Sequence, residues 1–495
     1  MAINAPETSS NVNSSCATCL RRFTIHFRRD YKIFDTPTTY GGEFGFDWLR
    51  DEYINPMLET IESEFYPVFV DTSKYGVERL KSTYKDGIKV IMPFGKEYVP
   101  ASINLFPEKF VKDNNKSNLN FEAVLDIEIH QFKEDEAPLE NDIFIEFITT
   151  NKNIKISLGS EKKYKAKIKV PISELIKDGQ KELVLNSKEN LIRKYYKTKN
   201  FISIKCLNSI ENNQYVEVYE CKKDNRELVG ILNVEKNNVI KKSSIIVVDV
   251  VNDDFDSKFY KDIQYNISKV INSRSLNQAL IDVDVIKEEK FDLRTLPFND
   301  PEVADFYNLY YLNQYIDANG VKYADNSLSI SYLDDLIYLY EKYNNLPYQI
   351  NSNQNPNTYL FYSSLSPYDL DINGSITGGT AGVASLCMEE GHSLEQWGNA
   401  VVVYANGDIL TPLHEIGHSF KLDHTFDNRE QFIFMQGYTD NMMDYPSIGE
   451  EDDLYLILKD KGKANPSDIS SPYLNHHLNL FRWQWKLANS DRSAK

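Results

Sequence analysis

His414-Glu415-Ile416-Gly417-His418-Ser419-Phe420-Lys421-Leu422-Asp423-His424 is the stretch around which the rest of the chain is organised. His414 and His418 stand four residues apart, which on an α-helix places both imidazoles on one face and aims them at one point. Two imidazoles so placed form a metal clip. Zinc takes imidazole nitrogen readily, and a third ligand from beyond the helix leaves the fourth tetrahedral position for water. His424 stands where that third ligand is needed, and Asp423 and Asp427 are oxygen donors within the same reach along the chain. Glu415 directly follows the first ligand, beside the water whose proton it would take. With eight histidines in 495 residues, H-E-x-x-H arises by chance with a probability of about 0.01, and the third histidine lowers this to about 0.0001.

Downstream lies Tyr438-Thr439-Asp440-Asn441-Met442-Met443-Asp444-Tyr445. Together the two stretches resemble the metzincin clan of zinc metallopeptidases, whose motif is H-E-x-x-H-x-x-G-x-x-H followed by a Met-turn. The resemblance implies that Met443 is the methionine beneath the zinc. It also implies that Tyr445 is the tyrosine of the astacin-like and serralysin-like branches, donating a hydrogen bond to the tetrahedral intermediate. It is specific but short, covering His414 to Tyr445; from Ser244 onward the match is one of element order. One position departs, because Lys421 stands where the clan has Gly. That Gly lets the backbone turn sharply out of the helix, and Lys reaches a positive φ only at a cost of about 1 kcal/mol or more.

The helix carrying the histidines is expected to start between Asp408 and Thr411, either of which can cap it, with Pro412 in the first turn where no N–H is needed. Gly417 costs about 1 kcal/mol of helix propensity relative to Ala. Such a cost suggests that another backbone passes close.

Ahead of this helix the order of elements is read from periodicity. Ile245 to Val251 is a continuous apolar run of the kind buried in a mixed sheet. A helix-like Phe255 to Ile281, a strand Asp282–Ile286 and helices around Val303–Tyr315 and Leu333–Tyr343 follow. Strands are expected at Tyr359–Tyr362, Gly382–Leu386 and Val401–Tyr404, with Ala381 to Leu386 an exposed edge for extended substrate. A closing amphipathic helix is expected from Tyr473 to Leu487, with Trp483 and Trp485 as packing anchors. His476 and His477 are adjacent, so on that helix they diverge by about 100° and cannot share one metal. Gly449 to Asp453 reads as a solvated acidic loop rather than a calcium site.

The first half is β-rich. Residues 21–112 mix strand-like runs at Arg22–Arg28, Tyr66–Val70 and Ile88–Pro93, with His26 expected to face water, and 111–118 reads as a linker. Between 119 and 238, short alternating runs separated by polar turns suggest a β-sandwich of immunoglobulin-like size. The expected organisation is therefore multidomain: a leader over 1–20, a β-rich domain over 21–112, the sandwich over 119–238 and an α+β metzincin-like catalytic domain over 241–495.

A net charge of −18 argues against nucleic-acid binding, which needs Lys and Arg in excess. No run approaches the ~20 apolar residues that span a bilayer, and polar Met1 to Ser15 shows no Sec-type signal. Export would then need another route, and β-domains ahead of a peptidase suggest a toxin-like effector of a contractile injection system, with a secretion-apparatus or inhibitor partner. Five cysteines do not form a secreted disulfide framework, and Cys16-Ala-Thr-Cys19 is a lone C-x-x-C.

These readings converge on a zinc-dependent endopeptidase acting on protein or peptide. One zinc per chain is held by His414, His418 and His424, Glu415 is the general base and Tyr445 the oxyanion donor. Two rival expectations are a catalytically silent docking component of metzincin fold and a zinc hydrolase of a cell-wall peptide.

Overall fold

The computed structural model describes residues 20–30, 39–59, 65–133, 139, 142–159, 161–186, 189–252, 267–316, 322–370, 375–388, 395–445 and 477–495. Cys16, Cys19, the acidic run at 449–453, His476 and the expected helix from Phe255 as far as residue 266 lie outside them. The chain is multidomain and rich in β-sheet, with helices. Among the described residues no helix is long and apolar enough to cross a membrane.

Among the described residues two large sheets occupy the first half, beside a two-stranded one of Leu58–Glu59 and Phe65–Tyr66. In one, Phe23–Arg28, Glu122–Gln131, Leu191–Cys206 and Lys181–Asn186 are neighbours in that order, and Ile154–Leu158 pairs with Leu191–Cys206. In the other the order is Gly45–Asp47, Ala101–Asn104, Asn225–Val234, Gln214–Lys222, Phe144–Thr149 and Lys167–Pro171. Alternate residues of both sheets enter one apolar core, in which Phe27 meets Phe147 edge to face at 6.3 Å. Strands from both sides of the expected 112–119 boundary therefore share both sheets. The expected linker is the end of a helix, Glu108–Asp113, followed by turns, and Val111 and Leu119 are buried against Phe106 and Leu280. Phe110, Val111 and Leu119 are enough to seat it.

Two local expectations are corrected. Ile88–Pro93 forms no strand, and Lys74–Lys85 is a helix capped by Ser73, whose hydroxyl accepts from the Gly76 N–H at 3.0 Å. Val77, Leu80 and Tyr84 recur at helical spacing, and that face packs against residues from far along the chain. His26 is only half-exposed, since its ring stacks on Tyr98 at 4.8 Å and lies 4.3 Å from His130.

The second half is built on a five-stranded sheet in the order Ile281–Asp292, Lys241–Val251, Asn357–Tyr362, Glu395–Val403 and Gly382–Met388. The first four strands are mutually parallel and the last is antiparallel. Lys241–Val251 is buried on both faces, which is why its sequence is a continuous apolar run. Ile245 and Val247 face a core that includes Leu413, Ile416 and Phe420. Ile246, Val248 and Val250 face the helices Pro301–Tyr307 and Ser329–Tyr343. Gly382–Met388 ends the sheet, and no described strand pairs with its outer edge. The closing helix runs over Arg482–Asn489, later than expected, and buries Trp483 and Trp485.

The halves are joined by a further apolar cluster. Tyr53, Val68, Phe69, Leu80 and Tyr84 pack with Phe432, Phe434, Tyr438, Phe481 and Trp483, and Phe69 pairs with Phe434 in a β-bridge.

Candidate metal centre

The helix Thr411–Ser419 carries the first two histidines. Its start is fixed by Asp408, whose carboxylate accepts from the N–H groups of Leu410 at 2.9 Å and Thr411 at 3.0 Å. Its end is a Schellman turn: the Lys421 N–H donates to the His418 carbonyl at 2.8 Å and the Leu422 N–H to the Gly417 carbonyl at 3.2 Å. Lys421 sits at φ 66°, in the left-handed region this turn demands. The departure from the clan pattern therefore leaves the sharp turn in place and loads it on a residue with a Cβ.

Three imidazole nitrogens converge. His424 Nε2 lies 3.1 Å from both His414 Nε2 and His418 Nε2, and the three ligand atoms fall within 4.8 Å of one another. Nitrogens bound to one tetrahedral zinc at about 2.0–2.1 Å are separated by about 3.3 Å. The other ring nitrogens decide the tautomers. His414 Nδ1 lies 2.9 Å from the Met442 carbonyl and His418 Nδ1 2.7 Å from the Leu422 carbonyl. A carbonyl only accepts, so each Nδ1 carries the proton and each Nε2 presents a lone pair to the common point. Burial keeps the rings neutral, lowering the His414 pKa to about 4 and, with the nearby His414, that of His424 to about 3; His418 is also held well below the usual imidazole range. Lone pairs facing one another at such distances repel unless a cation sits between them, and neutral imidazole suits zinc.

The rings are clamped from behind. Trp397 stacks on His418 at 4.0 Å and donates through Nε1 to Asp423 at 2.7 Å, while Phe426 stacks on His424 at 4.9 Å. Asp423 and Asp427 both pair with Arg429, at 3.1 and 2.9 Å. Of the three candidate third ligands, the imidazole is the one at the cluster.

Glu415 is buried between the helix and the edge strand, and burial raises its pKa to about 8. Space for it is made by Gly382, where a Cβ would come within 2.7 Å of Glu415 Cγ. Gly417 has a related reason: a Cβ there would meet Met443 Sδ at 2.5 Å. The close neighbour is thus a side chain, where a backbone was expected. Met443 is fully buried, and its loop is organised by Asp444, which accepts from the N–H groups of Gly437, Thr439 and Tyr445, each at 2.8 Å. The Tyr445 ring lies 4.6 Å from His424 and 5.6 Å from His414, and burial followed by the charge of Glu415 raises its pKa to about 12. All six residues singled out in the sequence meet here. Gly382, Trp397, Phe426 and Asp444 were not singled out; of these only Asp444, inside the Met443 stretch, stood next to a recognisable motif.

No protein-family model matches the chain, and no curated protein matches it.

Proposed function

We propose that this chain is a zinc-dependent endopeptidase of metzincin type, its catalytic part resting on a β-sandwich-like first half. The observation that best supports this reading is the convergence of three neutral Nε2 lone pairs, two of them fixed by carbonyl bonds at the opposite nitrogen. His414, His418 and His424 would hold the ion, and a bound zinc supplies Lewis acidity toward water and toward a carbonyl oxygen. Glu415 takes the proton from the attacking water and returns it to the leaving amine nitrogen. Tyr445, beside the cluster, donates to the oxygen that gains charge. The substrate is a protein or peptide segment in extended form, lying along the free edge of Gly382–Met388.

The test is metal analysis of protein purified without chelator, followed by digestion of casein. About one zinc per chain is expected, with cleavage lost on chelation and restored by zinc. Absence of any transition metal would sink the proposal, and cleavage of cell-wall peptide with casein intact would redirect the substrate class.

A further inference from the structure

We infer that Arg29 and Arg50, from the β-rich first half, are positioning residues of the metal centre, acting through Asp440 on the carbonyl that orients His414. The inference rests on reading the histidine cluster as a metal site.

Asp440 is 3 % exposed and lies 390 residues beyond Arg50. One of its carboxylate oxygens pairs with Arg29, and the other accepts from Arg50 Nη2 at 2.8 Å. The Arg50 side chain is itself fully buried, bonded to Asp47 at 3.1 Å and lying over the Trp48 ring at 4.2 Å. Arg29 lies over the Tyr40 ring at 4.0 Å and donates to the Asp30 carbonyl at 3.1 Å, so both arginines are held by the first half.

From Asp440 the path to the metal centre is short. The Asp440 backbone carbonyl accepts from the N–H groups of Leu478 and Asn479, and the Met442 N–H returns to the Asn479 carbonyl at 2.7 Å. The Met442 carbonyl then accepts from His414 Nδ1 at 2.9 Å. Met443, next in the chain, lies against Gly417 in the middle of the histidine helix. A shift of Asp440 therefore moves both the group that sets the His414 tautomer and the side chain beneath the helix. If the arginines are withdrawn, a carboxylate is left buried without partners, and the loop relaxes toward solvent to relieve it. Hydrogen-bond partners of metal-bound histidines govern metal affinity, and their loss weakens binding by about 10–100-fold.

The arginines also join two halves of the molecule, so a purely structural role needs its own control. Arg482 supplies one. It bonds Glu235 at 2.6 Å and the carbonyls of Thr83 and Asp86, joining the same halves, and its side chain has no bond to the loop 440–443.

The experiment compares the full chain with Arg50→Gln, Arg50→Lys, Asp440→Asn and Arg482→Gln. Zinc affinity is measured by chelator competition where circular dichroism shows each variant folded, and the visible spectrum is recorded with cobalt in place of zinc. Arg50→Gln is expected to weaken zinc about tenfold and to alter the cobalt bands, Arg50→Lys to recover part of the loss, and Arg482→Gln to lower the unfolding temperature with zinc affinity within about twofold of the parent. Parental zinc affinity and an unchanged cobalt spectrum in Arg50→Gln overturn the inference. If that variant does not fold, Asp440→Asn, of the same shape, is read by the same criterion. Zinc binding by the parent tests the metal reading separately: a parent that binds none overturns both, whereas a parent that binds tightly with indifferent variants overturns only the role of the arginines.

Discussion

Gly382→Ala probes whether Glu415 is held where a general base is needed. The added methyl would come within 2.7 Å of Glu415 Cγ, 2.8 Å of Thr411 Cγ2 and 3.0 Å of Glu415 Oε1, whereas ordinary contact begins at 3.4 Å. Gly382 is not in the left-handed region, so the backbone accepts Ala and the conflict is one of space. Thr411 is fixed in the first helical turn by Asp408, which leaves the longer glutamate to yield, by about 0.7 Å at Cγ on the distances above. Overpacking of this kind costs about 1–3 kcal/mol. The lower entropy of the unfolded chain with Ala returns about 0.4–1 kcal/mol. Stability is then expected to fall by no more than about 2.6 kcal/mol. Activity is expected to suffer more, because misplacing a reacting group by about 1 Å costs about 100-fold. The assay is kcat/KM on a quenched-fluorescent peptide, beside metal analysis and denaturant unfolding. A variant with full zinc and kcat/KM within about threefold of the parent would refute the placement.

Further outcomes follow from the same geometry. Glu415→Ala is expected to keep its zinc while losing nearly all hydrolysis, since the carboxylate is not among the three converging donors; retained turnover would move proton transfer elsewhere. Tyr445→Phe is expected to lower kcat by about 100-fold with KM little changed, as removal of one transition-state donor does, and an unchanged kcat removes Tyr445 from the mechanism. Lys421→Gly relieves about 1 kcal/mol of strain at φ 66°, partly offset by the freedom Gly gains when unfolded. It is expected to unfold at equal or higher denaturant, while Lys421→Val loses about 2 kcal/mol; equal stability of the valine variant contradicts a left-handed residue here. Burial opposes the Asp440 charge, yet the arginines outweigh it and hold the pKa below the usual range. Its contribution to stability is therefore complete above the unfolded value of about 3.9 and lost as pH falls through the folded value. Asp440→Asn is expected to flatten acid unfolding below about pH 4, and an unaltered acid limb would count against the ion pair.

How much of this was legible in the sequence depends on how far apart the partners lie. The histidine helix could be read because its information is local: an i, i+4 pair, an Asp408 just ahead of the first turn and a third histidine six residues beyond His418. The continuous apolar run of Ile245–Val251 was legible for the same reason, since burial on both faces shows within seven residues. Lys421 was legible as a difficulty but not as its solution. The Schellman bonds that hold it are made by the backbone of His418 and Gly417, which any sequence there would offer.

The unread part is long-range. Gly382 reads only as the first residue of a strand, and the approach of the helix to that strand gives it a purpose. Trp397 carries no mark that it backs His418, nor does Phe426 that it backs His424. The division of the first half failed in the same way. Short runs before residue 112 and after 119 suggest two units when each is matched to its nearest neighbours. Pairings such as Phe23↔Gln131 and Asn233↔Ser102 bind them into common sheets. The first half contributes none of the three converging imidazoles. Yet the loop bearing Met443 is fastened through Asp440 to Arg29 and Arg50, and the strip at 68–70 pairs with residues 433–435. A buried carboxylate needs its charge answered wherever the fold can supply a cation. In this chain the cations come from the β-rich half, and no pattern in the His414–Tyr445 stretch could have announced that.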